Sequence, residues 1–348
     1  MNFPENYKVT YRCPSNIALV KYWGKFGVQY PQNPSISMTL KNCYTETTVE
    51  FCKSGEGFSF EFYFDGEKKV SFNDKLDKFF KKIFNEFSWL SSYKLVIHSK
   101  NTFPHSSGIA SSASSMSALS MCLNDFDSHI SNRHLSLQKA SHVARLGSGS
   151  ASRSIFKNFA IWGECDIEGS SNEFAIEYSD FAQVFLTLKD SVLIVSDKEK
   201  SVSSTVGHSL MNNHPFKEVR YQNARDNLNR LLSTMKDSDI STFIDIVESE
   251  ALELHGLMMN SNPSFILMRP NTLNIIEKIR YFRKHKNIDL FFTLDAGPNV
   301  HLLYFEKDEQ EVHRLINEEL LKFTVNDTVI HDEIGNGAYQ VKKEDSNC

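Results

Sequence analysis

Residues 103–115 read Phe-Pro-His-Ser-Ser-Gly-Ile-Ala-Ser-Ser-Ala-Ser-Ser. An extended stretch ends at Pro104, and small residues lead into a helix predicted from about Gly108 to Asn124. Glycine and serine at such a junction let an oxyanion approach the main chain closely. The free N–H groups and the positive dipole end of the helix favour phosphate. Ser106, Ser107, Ser111 and Ser112 add hydroxyl donors. No Lys-Ser/Thr pair follows the glycine, so this is not a P-loop. The competing reading is a helix packed tightly through its small side chains.

Upstream of this junction the pattern is mainly strands. Lys8–Cys13, Ser35–Leu40, Thr45–Phe51, Phe58–Phe64 and Tyr93–His98 are short, rich in Val, Thr, Tyr and Phe, and separated by Gly, Asn and Ser. Between them, Leu76, Phe79, Phe80, Ile83, Phe84 and Phe87 recur at helical spacing. Downstream, a helix over Leu137–Arg145 precedes a strand at Phe159–Trp162. A second rhythm starts near residue 190, with strands at Ser191–Ser196, Leu290–Leu294 and Val300–Phe305. Helices are predicted over Phe216–Met235, Ile240–Met259, Thr272–His285 and Glu309–Lys322. The polar end, Lys-Lys-Glu-Asp-Ser-Asn-Cys, reads as frayed. Strands and helices mix without strict β-α alternation, so the fold class is α+β in two domains, 1–187 and 188–348.

The chain has 348 residues, enough for one large or two medium domains. Its 38 Lys+Arg against 43 Asp+Glu leave a net charge of −5, which disfavours a fold-wide basic face for nucleic acid but allows a local anion pocket. Six scattered cysteines form no CxxC pair, so neither zinc ligation nor a disulfide framework has support. The N-terminus lacks an apolar signal core, and no stretch approaches the length of a membrane span. A soluble, reduced, cytoplasmic protein without a membrane partner is expected.

Three further segments carry chemistry. Ala144–Ser154 (ARLGSGSASRS) interleaves Gly147 and Gly149 with Ser148 and Ser150 and ends on Arg153, a nest suited to carboxylate or phosphate; a flexible turn is the alternative. Cys13–Lys25 (CPSNIALVKYWGK) holds Asn16, with Lys21 and Lys25 four residues apart around Tyr22 and Trp23. That spacing aims both ammonium groups at one side on a helix or a strand, although two solvated lysines beside a core tryptophan would look the same. Leu294–Asn299 (LDAGPN) places Asp295 at the end of an apolar strand before a tight turn. Such a position suits either a catalytic carboxylate or a turn-capping one. The histidines show no metal-binding HExxH pattern, and the Phe-rich 79–87 stretch is a packing face.

Taken in order, these segments resemble the small-molecule kinase superfamily of galactokinase, homoserine kinase and mevalonate kinase, and within it the diphosphomevalonate decarboxylase family. The resemblance rests on Asn16-Ile17-Ala18, Lys21-Tyr22-Trp23-Gly24-Lys25, Pro104–Ser114, Gly147–Ser154 and Asp295–Asn299. Asn33-Pro34-Ser35-Ile36-Ser37 and Val202-Ser203-Ser204-Thr205 also fall where the family has similar segments. The resemblance implies an N-terminal domain like ribosomal protein S5 domain 2, a ferredoxin-like C-terminal domain, and a site in the cleft between them. It implies ATP-dependent decarboxylation of diphosphomevalonate to isopentenyl diphosphate in isoprenoid biosynthesis, with ADP, phosphate and CO2 released.

By that resemblance Asp295 orients or deprotonates the 3-hydroxyl, Arg153 pairs with the substrate carboxylate, Lys21 lies near the reacting centre and Asn16 supports it. Tyr22, Lys25, Ser148, Gly149, Ser150, Ser204 and Thr205 are expected on the substrate. Ser106, Ser107, Gly108, Ala110, Ser111 and Ser112 are expected around ATP, whose phosphates carry Mg²⁺. A homodimer is implied as well. Two departures stand out. His105-Ser106-Ser107 replaces the Thr-Ala-Ala of many relatives, and Thr205 stands where some bacterial relatives have an arginine for the diphosphate. A phosphomevalonate decarboxylase and a mevalonate 3-kinase-like enzyme remain alternatives on the same scaffold. A catalytically silent RNA-binding module is the alternative of another class.

Overall fold

The computed structural model describes residues 3–104, 109–198 and 202–346. The chain opens with β1 (Asn6–Val20), the hairpin β2 (Lys25–Phe26) and β3 (Tyr30–Pro31), and the long β4 (Ser35–Lys53). There follow β5 (Ser59–Phe64), β6 (Glu67–Lys68), α1 (Asn73–Ile83), β7 (Tyr93–Asn101), α2 (Ser111–Ser131), α3 (Leu137–Gly147), β8 (Phe159–Trp162) and β9 (Ala175–Tyr178). The second half contributes β10 (Leu188–Leu193), α4 (Ser204–Leu210), α5 (Lys217–Asp237), α6 (Ile240–Met259) and α7 (Pro270–Lys286). It ends with β11 (Leu290–Leu294), β12 (Val300–Phe305), α8 (Glu309–Leu315), β13 (Val329–Glu333) and β14 (Tyr339–Ser346).

The α+β expectation holds, with two main sheets beside the small β2–β3 hairpin among the described residues. The larger runs β14-β1-β4-β7-β5-β6, with β8 and β9 continuing from the first part of β4. The smaller runs β11-β12-β10-β13 and is antiparallel throughout. The periodic face of α1 buries Leu76, Phe79, Phe80 and Ile83 as its spacing requires. On α2, Phe126 stacks on Phe51 of β4 with ring centroids 4.2 Å apart. Each such fully buried side chain contributes about 1.5–3 kcal/mol of transfer free energy.

Where Thr45–Phe51 and Ser35–Leu40 read as two strands, one bent strand stands. Its bend at Lys41–Cys43 leaves three N–H groups without a ladder partner. The Asp332 carboxylate of β13 accepts all three at 2.7–2.8 Å, tying the small sheet to the large one. A shared core reinforces the tie. Ile17, Ile36 and Met38 from the first half pack in one cluster with Leu188, Leu228, Phe243, Phe291 and Leu303 from the second.

Three expectations are corrected. The polar C-terminal residues are not frayed up to residue 346, because β14 pairs with β1 from Asn6↔Ser346 to Arg12↔Tyr339. The last strand of the second half thus closes the edge of the first sheet. The helix expected from about Gly108 is α2, which begins at Ser111; Ala110 before it is left-handed (φ 40°). Glu309–Lys322 is not one α-helix, because a π turn takes over at Ile316–Leu320.

Candidate active site

β1 breaks its register with β4 twice, between Pro14 and Asn16 and between Ala18 and Val20. Proline lacks the N–H that the ladder requires, and bulges of this kind re-aim side chains at a strand end. The strand thus delivers Asn16, Lys21 and Tyr22 to the rim of a cavity of about 440 Å³ between the two sheets. The size suits a small-molecule ligand. Its floor is the Gly-Ser element, its far wall Asp295 and Ala296 after β11, and its other sides the starts of α2 and α4.

Asn16, Lys21, Tyr22, Lys25, Ala110, Ser111, Ser112, Ser148, Gly149, Ser150, Arg153, Ser204, Thr205 and Asp295 all line this one cavity. Ser106, Ser107 and Gly108 lie outside the described residues. The sequence reading of Lys21 and Lys25 left helix and strand open. The answer is neither alone: Lys21 follows the end of β1 and Lys25 begins β2.

Arg153 ends a 3-10 turn over Gly149–Arg153 and is 2% exposed. Its Nε donates to the Ser37 hydroxyl at 3.1 Å and its Nη1 to the Ser35 hydroxyl at 2.7 Å. The guanidinium carbon sits 5.8 Å from the Trp162 ring centroid. Among the described residues no carboxylate forms a salt bridge with it. Burial lowers its pKa to about 10, opposed by the charge of Asp295. A buried cation supported only by hydroxyls is costly unless an anion joins it. The alternative of a flexible surface turn is excluded, because Gly149, Ala151, Ser152 and Arg153 are buried.

Asp295 remains partly open, its side chain 28% exposed, and its Oδ1 lies 3.6 Å from Lys21 Nζ. The Lys21 ammonium, fully buried, also donates to Ala18 O at 2.6 Å. Burial pushes its pKa below the usual lysine range, while Asp295 and Glu250 pull the other way. The turn carrying Asp295 is pinned from two sides. His255 of α6 bonds to Asp295 O at 3.0 Å, and Asn299 Oδ1 accepts the Ser196 N–H at 2.9 Å. This is more than a turn cap, because the carboxylate itself faces the cavity.

The lysine main chain is clamped as well. Lys21 N–H donates to Glu250 Oε2 at 2.8 Å, and Lys21 O accepts from Arg220 Nη2 and Asn33 Nδ2, both at 2.9 Å. Arg220 and Glu250 form a doubly bonded pair with no side-chain exposure, and Glu253 lies 3.2 Å from Arg220 Nη1. Burial alone would push Arg220 down, but Glu250 and Glu253 hold it above its ordinary value.

At the remaining walls, Asn16 Nδ2 donates to Ser154 Oγ at 2.7 Å and to Ser150 O at 3.2 Å, so it braces the Gly-Ser turn. Gly149 has no room for a side chain: a Cβ there would lie 2.8 Å from Trp162 and 2.9 Å from the Tyr22 hydroxyl. Burial raises Tyr22 and lowers Lys25, whose Nζ donates to Gln29 Oε1 at 2.7 Å. The start of α2 presents Ala110, Ser111 and Ser112, with Ser112 Oγ 3.3 Å from Ser148 Oγ. The tight-packing reading of this helix also holds one turn deeper, where buried Ser117 bonds to Ala113 O and Ala151 O.

Sequence reasoning missed Ser35 and Ser37 as the partners of Arg153, the Arg220–Glu250 clamp, and Ser203 and His208 on the cavity wall. For Ser35 and Ser37 the Asn-Pro-Ser-Ile-Ser segment was the available signal.

A two-sheet α+β fold whose cleft gathers a serine-rich helix start, a buried guanidinium and one partly open carboxylate defines the small-molecule kinase superfamily architecture. Models of the diphosphomevalonate decarboxylase-like N-terminal domain and of the mevalonate 5-diphosphate decarboxylase C-terminal domain match residues 13–173 and 191–347. The chain belongs to the diphosphomevalonate decarboxylase family. It is 27% identical to the diphosphomevalonate decarboxylase of Saccharomyces cerevisiae over 325 residues, which span 89% of this chain and 81% of that one. It superposes on the mevalonate diphosphate decarboxylase of Staphylococcus aureus with a TM-score of 0.84 and 29% identity, over 97% of this chain and 98% of that one. The structure of MDDEF in complex with MVAPP, AMPPCP and magnesium gives a TM-score of 0.83 at 29% identity, over 97% and 99% of the two chains.

Proposed function

We propose that the chain catalyses the ATP-dependent decarboxylation of diphosphomevalonate, forming isopentenyl diphosphate, ADP, phosphate and CO2. The observation that carries this reading is the buried Arg153 guanidinium, supported by hydroxyls and facing the same cavity as Asp295. It is charged, desolvated and without a carboxylate partner among the described residues, so a substrate carboxylate would complete it.

The residues divide the work as the chemistry requires. A tertiary alcohol leaves poorly, so the 3-hydroxyl is first phosphorylated by ATP. Asp295 accepts the hydroxyl proton's hydrogen bond and aligns the oxygen for in-line attack. Lys21 holds the Asp295 carboxylate in place, and its clamped backbone fixes where that ammonium stands. As the 3-phosphate departs, positive charge builds at the tertiary carbon, and Asp295 stabilises it. Arg153 orients the substrate carboxylate; its C–C bond then breaks, CO2 leaves, and the bonding pair forms the new double bond. Tyr22, Lys25, Ser148, Ser150, Ser204 and Thr205, with Gly149 leaving space for the approach, hold the diphosphate. Ala110, Ser111 and Ser112 receive the ATP phosphates at the start of α2, and the resemblance adds Ser106, Ser107 and Gly108 to the ATP-binding set.

The donor set fits Mg²⁺ carried by ATP rather than held by a protein cage. Among the described residues no group of three His, Cys, Asp or Glu side chains could hold a metal, whereas serine hydroxyls suit a magnesium that is already phosphate-bound. Mg²⁺ supplies neutralisation of the transferred phosphoryl group's charge.

The finer fold names belong to this reading: a ribosomal protein S5 domain 2-like first half and a ferredoxin-like second half, meeting near residue 188. The passage from the large sheet at β9 to the small one at β10 supports that boundary, with β14 crossing back. A homodimer, a cytoplasmic setting and the lack of nucleic-acid and membrane partners complete it. The described cysteines are free thiols. No helix among the described residues is long and apolar enough to cross a membrane.

CO2 and ADP measured together on mevalonate and its 5-phosphate and 5-diphosphate test the proposal. Equal release on the 5-diphosphate is expected. ADP without CO2 would assign a kinase, and preference for the 5-phosphate a monophosphate decarboxylase. RNA affinity without ATP turnover would assign the binding module.

A further inference from the structure

His208 lies on α4, whose first residues Ser204 and Thr205 line the cavity, and it lines the cavity itself at 8% exposure. Its ring sits between those of Tyr22 and Trp23, at centroid distances of 4.3 and 4.6 Å. Gly24 N–H donates to its Nδ1 at 3.0 Å. A backbone N–H can only donate, so Nδ1 is the acceptor and the neutral ring carries its proton on Nε2. Among the described residues no protein group accepts from Nε2, and the residue lines the open cavity. Burial, and then the neighbouring Lys25, push the imidazole pKa down to about 3, so the ring is neutral at any working pH.

An oriented N–H with no protein acceptor, 92% buried as a residue and set beside Tyr22 and Lys25, is a built donor for an anion. Gly207 before it shows how tightly the wall is formed: a Cβ there would lie 2.6 Å from Trp23. We propose that His208 Nε2–H is a further substrate-binding group, donating a hydrogen bond to the diphosphate end of the ligand. The assignment rests on the reading of this cavity as a diphosphomevalonate site. It differs from the lysine contacts in kind. A lysine follows a phosphate as a mobile point charge, whereas this neutral donor is fixed in direction by Gly24 and by two aromatic faces. It therefore selects where the phosphate oxygen sits.

Two substitutions separate the ring's two jobs. His208→Asn keeps an acceptor near the Nδ1 position for Gly24 but removes the far donor. His208→Gln places an amide N–H near the Nε2 position. With the holoenzyme, His208→Asn should raise KM for diphosphomevalonate by ~10- to 100-fold, the usual span for a hydrogen bond to a charged group. Its kcat should change less than about threefold and its KM for ATP should hold. His208→Gln should recover most of the loss. Inorganic pyrophosphate, titrated calorimetrically, should weaken by the same factor in His208→Asn. Unchanged KM and unchanged pyrophosphate binding in that variant, or a loss confined to kcat, would overturn the assignment. Wild-type protein that binds pyrophosphate through His208 yet releases no CO2 would instead overturn the reaction and leave the contact standing.

Discussion

Two buried arginines, one from each half, serve this cleft in opposite ways, Arg153 lining it and Arg220 standing behind Lys21. Arg220, fully buried, meets Glu250 through two hydrogen bonds and has Glu253 close by. Arg153, also buried, hydrogen-bonds among the described residues only to the hydroxyls of Ser35 and Ser37. The first charge is balanced inside the protein, so it serves architecture: it holds Lys21 in place. The second is left for a ligand to balance. A buried cation is thus read by its counterion, and the missing counterion marks the binding site.

Asp295 is the carboxylate that Arg153 feels electrostatically, and removing its charge is the largest break available. Asp295→Asn should lower kcat by ~10²–10⁴-fold, as expected for a group that handles a proton in the transition state, while binding of diphosphomevalonate persists. Near-normal CO2 release by this variant would remove Asp295 from the chemistry. Arg220→Met should then destabilise the fold by about 3–5 kcal/mol, because Glu250 would be left buried and unpaired. Chemical denaturation checks it. Arg153→Gln should behave oppositely, raising KM for the substrate by ~10- to 150-fold with the denaturation midpoint held or raised. If both variants lose stability equally, the contrast between the two arginines is void.

The pH response sharpens the same contrast. Burial lowers the free-enzyme pKa of Arg153 to about 10. Below that value the guanidinium is charged and binds the substrate anion. Above it the charged fraction falls, and Lys21 and Lys25, which burial also lowers, lose charge in the same direction, so KM for diphosphomevalonate should rise with pH. Steady-state kinetics between about pH 8 and pH 11 would show it, on a chain that circular dichroism finds folded throughout. The smallest effect belongs to Ser35→Ala, which should raise KM by about fivefold, the worth of one neutral hydrogen bond.

The elements that write themselves in local patterns were legible in the chain. α6, β11 and β12 fall where their periodicity places them, and the Gly-Ser turn and Asp295 reach one cavity as their local chemistry suggests. What escaped reading depends on distance along the chain. Ser35 and Ser37 join Arg153 across more than a hundred residues, and Arg220 joins Lys21 across 199. The Asn-Pro-Ser-Ile-Ser segment marks the two serines without naming Arg153, and Arg220 carries no local sign of its partner. β14 escaped for another reason. It is an edge strand, and its exposed Lys342, Lys343 and Glu344 lack the apolar alternation of a half-buried one. Charges of this kind protect an edge from further pairing, so the very feature that suits the strand to its place made it read as a tail.

The claim beneath all of this is that Arg153 waits for the carboxylate of the substrate that Asp295 activates. Calorimetric binding of diphosphomevalonate and of an analogue lacking its carboxylate, each to the wild-type chain and to Arg153→Gln, tests it most directly. The account predicts that losing the carboxylate costs the wild-type chain ~10- to 150-fold in affinity and costs Arg153→Gln almost nothing. An equal cost in both proteins would contradict it.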